Sequence, residues 1–133
     1  MNSDSSPEAT ERDRDEAWET TVLLVDDEQH LREAYADLLE KRFTVLTAAD
    51  GEAALAAMTD NVDVLLLDRR LPGLDGADVL DELRKNGYDG PVVIVSAVDP
   101  LLQEIEQHVE EYLFKPVNRD ELIEAVEQVT PPQ

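Results

Sequence analysis

The chain has 133 residues, which fits one domain, and 42% of them are hydrophobic, enough to build one core. Its 32 acidic residues against 11 basic ones give a formal net charge of −21. This charge argues against direct binding to nucleic acid or to an anionic membrane surface, because both need Lys and Arg.

The composition also limits the cellular setting. Cysteine is absent, which excludes disulfides and thiolate metal sites. No apolar stretch approaches the ~20 residues of a membrane span, and the polar N-terminus is no secretory signal. The basic residues are eight Arg and three Lys. An acidic, Lys-poor surface resembles cytosolic proteins of salt-loving microbes, where salt screens the self-repulsion, although an acidic protein of an ordinary cytosol is the alternative. We therefore expect a soluble, cytoplasmic, halophilic protein.

Residues 1–20 are polar and acidic, and we predict that they form a disordered arm. After this arm, the first half of the chain alternates between strand and helix patterns. Residues 22–25 form a short apolar strand. The helix after it has an apolar face made of Leu31, Ala34, Tyr35, Leu38 and Leu39. Residues 44–47 predict a second strand, and Asp50 is a suitable N-cap for an Ala-rich helix through Met58.

The second half continues the alternation. Residues 64–67 form a third strand, and a helix starting at Asp75 or Gly76 buries Val79, Leu80 and Leu83 before Asn86 and Gly87 stop it. A fourth strand covers residues 92–95. Pro100 then begins a short helix whose apolar side is Leu101, Leu102, Ile105 and Val109. A fifth strand at 112–114 precedes a last helix from Asn118 or Arg119, with an inward face of Leu122, Ile123, Val126 and Val129, and residues 130–133 read as a tail or linker.

Five strand–helix units predict an α/β fold. The strands are continuous apolar runs, which is typical of parallel strands buried on both faces. Right-handed crossovers place helices on both faces of the sheet. We expect a flavodoxin-like, doubly wound, five-stranded parallel sheet of order 2-1-3-4-5, with its ligand site at the switch point between strands 1 and 3.

Polar residues follow four of these strands, and they predict a site for phosphoryl chemistry. Asp26 and Asp27 end the first strand and Asp68 ends the third, so their carboxylates meet at one sheet edge and repel each other unless a cation binds. Oxygen ligands suit Mg²⁺. Asp27 and Asp68 are the expected direct ligands, Asp26 acts partly through water, and the main-chain carbonyl of Arg70 is a further candidate ligand.

The same site predicts a nucleophile and its helpers. Asp68 would attack an incoming phosphoryl group and form an acyl phosphate. The Lys115 ammonium, together with the metal, would neutralise the transferring oxygens, and the Ser96 hydroxyl would donate to one of them.

Each residue alone also has a plain structural explanation. An Asp pair before a helix often caps it, and an Asp before a turn often serves the turn. Ser96 is a common strand-end residue, Lys115 alone is more often a solvated side chain, and Tyr112 alone is most simply half-buried packing. The order of these residues on successive strands favours the site.

The combined motifs resemble the receiver domain of two-component response regulators over residues 21–129. The matching segments are Val25-Asp26-Asp27-Glu28, Leu67-Asp68, Leu71-Pro72-Gly73-Leu74-Asp75-Gly76, Ser96-Ala97 and Tyr112-Leu113-Phe114-Lys115-Pro116. The resemblance implies that Asp68 accepts phosphate from a phosphohistidine on a sensor histidine kinase or a phosphotransfer protein, and that Asp26 and Asp27 hold Mg²⁺. It implies that Ser96 and Lys115 contact the phosphoryl group.

The resemblance also implies a switch. Tyr112 would turn inward with Ser96 and move the surface of the fourth helix, fifth strand and fifth helix toward an unknown effector. Such a protein catalyses its own phosphorylation and dephosphorylation and is not a turnover enzyme. Homodimerisation on phosphorylation is one way for this surface to act.

Three features depart from the family pattern. Arg69 and Arg70 follow Asp68, where the family often has smaller or less basic residues, and Arg70 is a candidate for tuning acyl-phosphate lifetime. The span from Ser96 to Lys115 is about one helical turn short, and Val109-Glu110-Glu111 replaces the usual Gly-Ala pair, so a standard dimer through this face is in doubt. The acidic surface is similar to that of receivers from halophilic archaea.

Two other classes compete with a signalling switch. A hydrolase of the haloacid-dehalogenase type also uses Asp and Lys. It requires a second acidic residue two positions after the nucleophile, and this chain has Arg70 there. A pseudo-receiver is a binding module that no longer takes phosphate, and the presence of Asp27, Asp68 and Lys115 argues against it.

Overall fold

The computed structural model describes residues 20–71, 75–97 and 109–130. The predicted arm up to residue 19, the Pro72-Gly73-Leu74 segment, the predicted fourth helix up to residue 108 and the last three residues lie outside this part of the chain. Val109, predicted on the apolar side of that helix, is described and is not helical, and it packs against the buried core that includes Ile94. Thr20, assigned to the arm from sequence, is buried, and its carbonyl accepts a hydrogen bond from the Thr44 amide at 3.0 Å.

Five parallel strands form one sheet in the order β2-β1-β3-β4-β5, which confirms the predicted flavodoxin-like topology. The strands are β1 Thr21–Val25, β2 Thr44–Ala48, β3 Val64–Asp68, β4 Val92–Ser96 and β5 Glu111–Phe114. The order puts β1 and β3 side by side at the centre, so the carboxyl ends of these two strands adjoin.

Four helices lie in the described residues: α1 Gln29–Leu39, α2 Gly51–Ala57, α3 Gly76–Lys85 and α4 Arg119–Val129. Asp50, Asp75 and Asn118 cap the last three by accepting hydrogen bonds from amides of the first turn, as N-cap side chains do. Asn86 ends α3, and Gly87 follows with a φ of 107°, a conformation that glycine adopts without strain.

Alternate strand residues feed two separate cores, one on each face of the sheet. Leu24, Leu66 and Val93 point to the core that α1 and α4 cover. Leu23, Leu65 and Ile94 point to the core that α2 and α3 cover. The continuous apolar pattern of the central strands follows from this burial on both sides.

The apolar face predicted for α1 is wrong in one position. Ala34 is exposed and Ala36 is buried, so the buried face is built on Tyr35, Ala36 and Leu39, with Leu31 and Leu38 at its edge. Alanine is too small for its position in a pattern to fix the orientation of a helix.

Glu110 accounts for the unusual approach to β5. Its amide donates to the Val92 carbonyl at 2.9 Å, and its carboxylate accepts from the Val92 amide at 2.8 Å. A side chain thus pairs with the start of β4 where the family usually has a Gly-Ala pair.

Across the described helices, none combines the length and apolar character that crossing a membrane requires.

Candidate functional site

Three strands deliver charged side chains to one point at the carboxyl edge of the sheet. Asp26 directly follows β1, Asp68 ends β3 and Lys115 directly follows β5. The Lys115 Nζ lies 3.1 Å from an Oδ2 oxygen of Asp26 and 3.1 Å from that of Asp68. The ammonium therefore bridges two carboxylates that are 1% and 6% exposed, respectively.

Both carboxylates are also fixed by the backbone. The second oxygen of Asp26 accepts from the Glu28 amide at 2.9 Å, and that of Asp68 accepts from the Arg70 amide at 3.0 Å. In each case the donor lies two residues further along the chain. Each carboxylate thus has one oxygen on a local amide and one on Lys115, which fixes its orientation.

Burial and neighbouring charges shift the pKa of Asp68 and of Lys115. Burial raises the pKa of the Asp68 carboxyl, and the Arg70 amide and Lys115 only partly oppose it. Burial alone would lower the pKa of the Lys115 ammonium, but the carboxylates of Asp68 and Asp26 outweigh burial and raise it. Lys115 therefore stays charged at neutral pH.

Asp27 completes an acidic cluster with Asp26 and Asp68. One oxygen from each carboxylate lies within 4.8 Å of the others, and Asp27 is exposed. The cluster opens into a pocket of about 460 Å³ that is lined by Asp27, Asp68, Arg70, Leu71, Ala97 and Lys115. An all-oxygen donor set at this spacing fits a hard divalent cation.

A close backbone approach holds the turn after Asp68. The Gly76 amide donates to the Arg69 carbonyl at 2.6 Å, and a Cβ at position 76 would lie 2.5 Å from the Asp68 carbonyl oxygen. Only glycine fits this contact. The Arg69 guanidinium also pairs with the N-cap Asp75, so the start of α3 is tied to the residue after Asp68.

The two residues predicted to form a switch lie on the last two strands. Ser96 is fully buried at the end of β4, and its carbonyl accepts the Lys115 amide at 2.7 Å. Tyr112 is half-buried, opposite Ile94 in the sheet, and packs against the core that α2 and α3 cover. The Lys115–Pro116 peptide bond is cis.

Three residues that the sequence analysis did not assign to the site surround it from α1. Glu28 caps this helix by accepting from the His30 and Leu31 amides. Arg32 donates to the main-chain carbonyl of Asp26 at 2.9 Å. Tyr35 is buried in the core that α1 and α4 cover, against which Val117 also packs. Only Glu28, which follows an Asp pair and precedes a helix, carried a local signal in the sequence.

Known proteins are similar to this chain in sequence and in fold. The family model described as the response regulator receiver domain matches residues 22–127. A protein of Haloferax volcanii, named as a transcriptional regulator, is 43% identical over 122 residues, which cover 91% of this chain and 21% of that protein. The transcriptional regulatory protein CpxR of Klebsiella pneumoniae is 39% identical over 112 residues, 81% of this chain and 48% of CpxR.

Solved structures agree with the sequence comparison. The response regulator protein TrrA of Thermotoga maritima, in complex with Mg(2+)-BeF, superposes with a TM-score of 0.73 at 33% identity, covering 83% of this chain and 98% of TrrA. The chain spans a fifth to a half of the curated relatives above, and nearly the whole of this solved structure. The chain belongs to the family of response regulator receiver domains.

Proposed function

We propose that this receiver domain takes a phosphoryl group on Asp68 from a phosphohistidine of a sensor histidine kinase or a phosphotransfer protein, in a Mg²⁺-dependent reaction. One observation carries the proposal: the Asp68 carboxylate is held between a bridging ammonium and an acidic cluster, at the wall of an open pocket. A buried nucleophile with charge-neutralising neighbours is the arrangement that phosphoryl transfer needs.

The acidic cluster supports a site for Mg²⁺. Asp26, Asp27 and Asp68 would hold the ion, with the main-chain carbonyl of Arg70 as a further ligand. When bound, Mg²⁺ supplies positive charge to the oxygens of the transferring group. The Mg(2+)-BeF complex of TrrA supports the same ion for this chain by similarity.

The transfer forms one bond and breaks one bond. An Asp68 carboxylate oxygen attacks phosphorus, and a P–O bond forms as the P–N bond to the donor histidine breaks. The electron pair of the broken bond stays on the imidazole nitrogen, so the donor leaves as an imidazole and Asp68 becomes an acyl phosphate. Lys115 already lies 3.1 Å from Asp68, and its ammonium is placed to neutralise an oxygen of the new group.

The readout would run through β4 and β5. The Ser96 hydroxyl would donate to a phosphoryl oxygen, and Tyr112 would move into the space this opens, which changes the surface around β5. Since Lys115 is bonded to the Ser96 carbonyl, changes at Lys115 and Ser96 are mechanically joined. This surface would meet an effector or a second copy of the domain.

The setting of the domain is part of the proposal. The two curated relatives above are transcriptional regulators much longer than this chain, so a role in transcription would come from other residues or from a partner protein. The net charge of −21 and the similarity to a Haloferax protein support a cytoplasm rich in salt. We therefore expect the melting temperature to rise with KCl concentration.

A small phosphodonor tests the proposal. The protein is incubated with acetyl phosphate and Mg²⁺, and intact mass and peptide mapping are compared for wild type and Asp68→Asn. We expect one acid-stable, base-labile phosphoryl group at position 68 in wild type, none in Asp68→Asn, and none after chelation of Mg²⁺. Modification of Asp68→Asn at the same place would reject the proposed acceptor.

The same incubation separates the competing classes. A haloacid-dehalogenase-type hydrolase would release phosphate in many turnovers. A phosphate-independent pseudo-receiver would neither gain a phosphoryl group nor release phosphate, while still binding its partner.

A further inference from the structure

Arg69 is a largely buried cation that follows the proposed acceptor but does not enter its pocket. Among the described residues, Arg70 lines the pocket beside Asp68 and Arg69 does not. The Arg69 side chain is 14% exposed, and its Nε donates to Oδ1 of Asp75, the N-cap of α3, at 2.5 Å. The side chains of these two arginines thus serve different places, so Arg69 needs an explanation of its own.

The peptide unit between Arg69 and Arg70 links the start of α3 to the Asp68 carboxylate. Its carbonyl oxygen accepts the Gly76 amide at 2.6 Å, and its N–H donates to Oδ1 of Asp68 at 3.0 Å. A peptide unit is planar, so a tilt that changes one of these hydrogen bonds also changes the other. The Arg69–Asp75 ion pair joins the residues next to this plane, and it therefore restrains the tilt.

The stability of the fold does not explain an arginine at this position. Its Nη1 atom is buried and has no hydrogen-bond partner among the described residues, and such a donor costs free energy. The guanidinium also lies at the N-cap of α3, where the helix dipole disfavours a cation. Asp75 is 48% exposed and caps α3 through the Ala77 amide, so it is no buried charge that requires a counter-ion. An apolar side chain of similar length would avoid both costs.

We infer that Arg69 and Asp75 are a positioning pair, which holds the peptide unit of residues 69–70 at the tilt that keeps the Asp68 carboxylate oriented for phosphoryl transfer. The inference rests on the proposed phosphorylation of Asp68. Arg69 acts through the Arg70 amide, which holds one oxygen of Asp68 while Lys115 holds the other. A tilted peptide unit would turn the carboxylate and weaken its contact with Lys115.

The pair is charged and protected from salt. Burial alone would raise the pKa of the Asp75 carboxyl, but the Arg69 guanidinium and the Ala77 amide outweigh burial and lower it. The low exposure of Arg69 reduces screening by salt relative to a surface pair such as Lys85–Asp81, whose side chains are 65% and 42% exposed. The pair therefore persists in the salt-rich setting proposed above.

Three variants isolate the ion pair. Arg69→Met removes the cation and keeps much of the side-chain length. Asp75→Asn removes the negative charge and keeps an oxygen for the Ala77 amide, because Asn caps helices as well as Asp does. The third is the double variant. Asp81→Asn is the matched control, since it removes the same charge on the same helix from the exposed pair with Lys85.

Three quantities are measured for each variant. They are the melting temperature, the exchange rate of the Arg70 amide hydrogen by NMR, and the rate of Asp68 phosphorylation by acetyl phosphate at saturating Mg²⁺. The amide of Leu66, a fully buried residue of β3, is the reference for opening of the whole sheet.

We expect the two single variants to exchange the Arg70 amide hydrogen about three- to tenfold faster and to be phosphorylated more slowly by a similar factor, the range that one weakened hydrogen bond accounts for. The double variant should be no slower than the single ones, because all three lose the same contact. Arg69→Met should melt no lower than wild type. Asp81→Asn should exchange and react like wild type.

Three results overturn the positioning pair. The first is an unchanged exchange rate of the Arg70 amide in both single variants. The second is equal acceleration at Arg70 and Leu66, which indicates a loosened fold. The third is faster exchange at Arg70 with an unchanged phosphorylation rate. If wild type itself gains no phosphoryl group, the proposed function fails, and the exchange rate of the Arg70 amide alone then decides whether the pair holds the peptide unit.

Discussion

The two ends of the sheet use charge in opposite ways. At the amino end, Arg84 stacks 5.5 Å from the centre of the Tyr88 ring and gives its donors to backbone carbonyls. At the carboxyl end, Asp26, Asp27 and Asp68 face a single bridging ammonium. The first arrangement fixes a turn. The second leaves two negative charges, because three carboxylates are opposed by one cation.

Each end also has a pocket, so a cavity alone does not identify the site. The pocket at the amino end is about 340 Å³ and the one at the carboxyl end about 460 Å³. The acids at the amino end are exposed, as in Asp60 and Asp89, or bonded to the backbone, as in Asp63, which accepts from the Thr21 amide at 2.8 Å. The difference lies in the two buried carboxylates of Asp26 and Asp68 at the carboxyl end, which support the site proposed above for a cation and a phosphoryl group.

The largest expected effect comes from removing the bridge. Lys115→Met keeps much of the side-chain stem and removes the ammonium, and we expect Asp68 phosphorylation to slow by about 100-fold or more. Lys85→Met is the control, because Lys85 is exposed and pairs only at the surface with Asp81. The measurement is the rate of phosphoryl incorporation from acetyl phosphate. Equal rates for the two variants would contradict the role of Lys115.

Two Gly→Ala substitutions place the same methyl group at each end of the sheet and so sharpen the comparison. In Gly76→Ala the new Cβ meets the Asp68 carbonyl oxygen at 2.5 Å, so backbone must move at the site. In Gly90→Ala it meets the Tyr88 hydroxyl at 2.7 Å, so a side chain must move instead. We expect both to lose about 1–3 kcal/mol of stability.

Only the glycine at the site should affect the chemistry. We expect Gly76→Ala to slow phosphorylation up to about tenfold, since about 1.4 kcal/mol of misplacement corresponds to that factor. Gly90→Ala should react like wild type. Denaturant unfolding and the phosphorylation rate are measured on the same preparations, and a slowed Gly90→Ala would show that the two ends are coupled.

Arg70 tests whether the carboxyl end controls lifetime as well as formation of the acyl phosphate. Its guanidinium is exposed at the pocket wall, next to Asp68. We expect Arg70→Ala to shorten the half-life of phospho-Asp68 about two- to fivefold, because Arg70 pairs with the phosphoryl group or blocks water, and a charge-assisted contact of ~0.5–1 kcal/mol is lost. Decay is followed after removal of the phosphodonor. Identical half-lives in wild type and Arg70→Ala reject the idea.

The smallest expected effect is a pH-dependent gain in stability when Asp68 is replaced by Asn. Because burial raises the pKa of Asp68 above its ordinary value of 3.8, the folded state binds this proton more tightly than the unfolded state does. Ionised Asp68 therefore destabilises the fold above its folded-state pKa, and the penalty is relieved as pH falls toward 3.8.

The matching variants are Asp68→Asn and Asp63→Asn, which remove one negative charge at each end. In Mg²⁺-free buffer at fixed KCl, we expect Asp68→Asn to melt a few degrees higher than wild type at pH 7, with the difference vanishing in acid. Asp63→Asn should show no such gain, because Asp63 is only partly buried, whereas Asp68 is buried. Thermal melting across this pH range measures both, and a constant difference for Asp68→Asn would exclude the titration of Asp68 as its source.

Most of the fold was predictable because a strand that is buried on both faces is an unbroken run of apolar residues. Runs such as residues 64–67 are apolar without a break, and the polar residue that ends each run marks the carboxyl edge of the sheet. The topology of the sheet places Asp26, Asp68 and Lys115 at the same edge. Ala34 was predicted in the core and is exposed, while Ala36 is buried, since a methyl group gives too weak a signal to orient a helix.

The contacts of α1 were not predictable for a different reason. Whether Arg32 reaches the Asp26 carbonyl depends on its side-chain rotamer and on the placement of the helix over the sheet. The same holds for the Lys115–Asp26 pair, which the sequence analysis did not foresee. The motifs predict that Lys115 contacts the phosphoryl group and that Asp26 binds the metal, whereas the two side chains also hold each other.

The long separation of that pair along the chain has a consequence for synthesis. Asp26 and Lys115 are 89 positions apart, so a nascent polypeptide that has released its first four strands from the ribosome still lacks the cation that its acidic corner needs. Under the proposed function, fragments or stalled translation products without β5 and Lys115 would therefore be poor acceptors of phosphate.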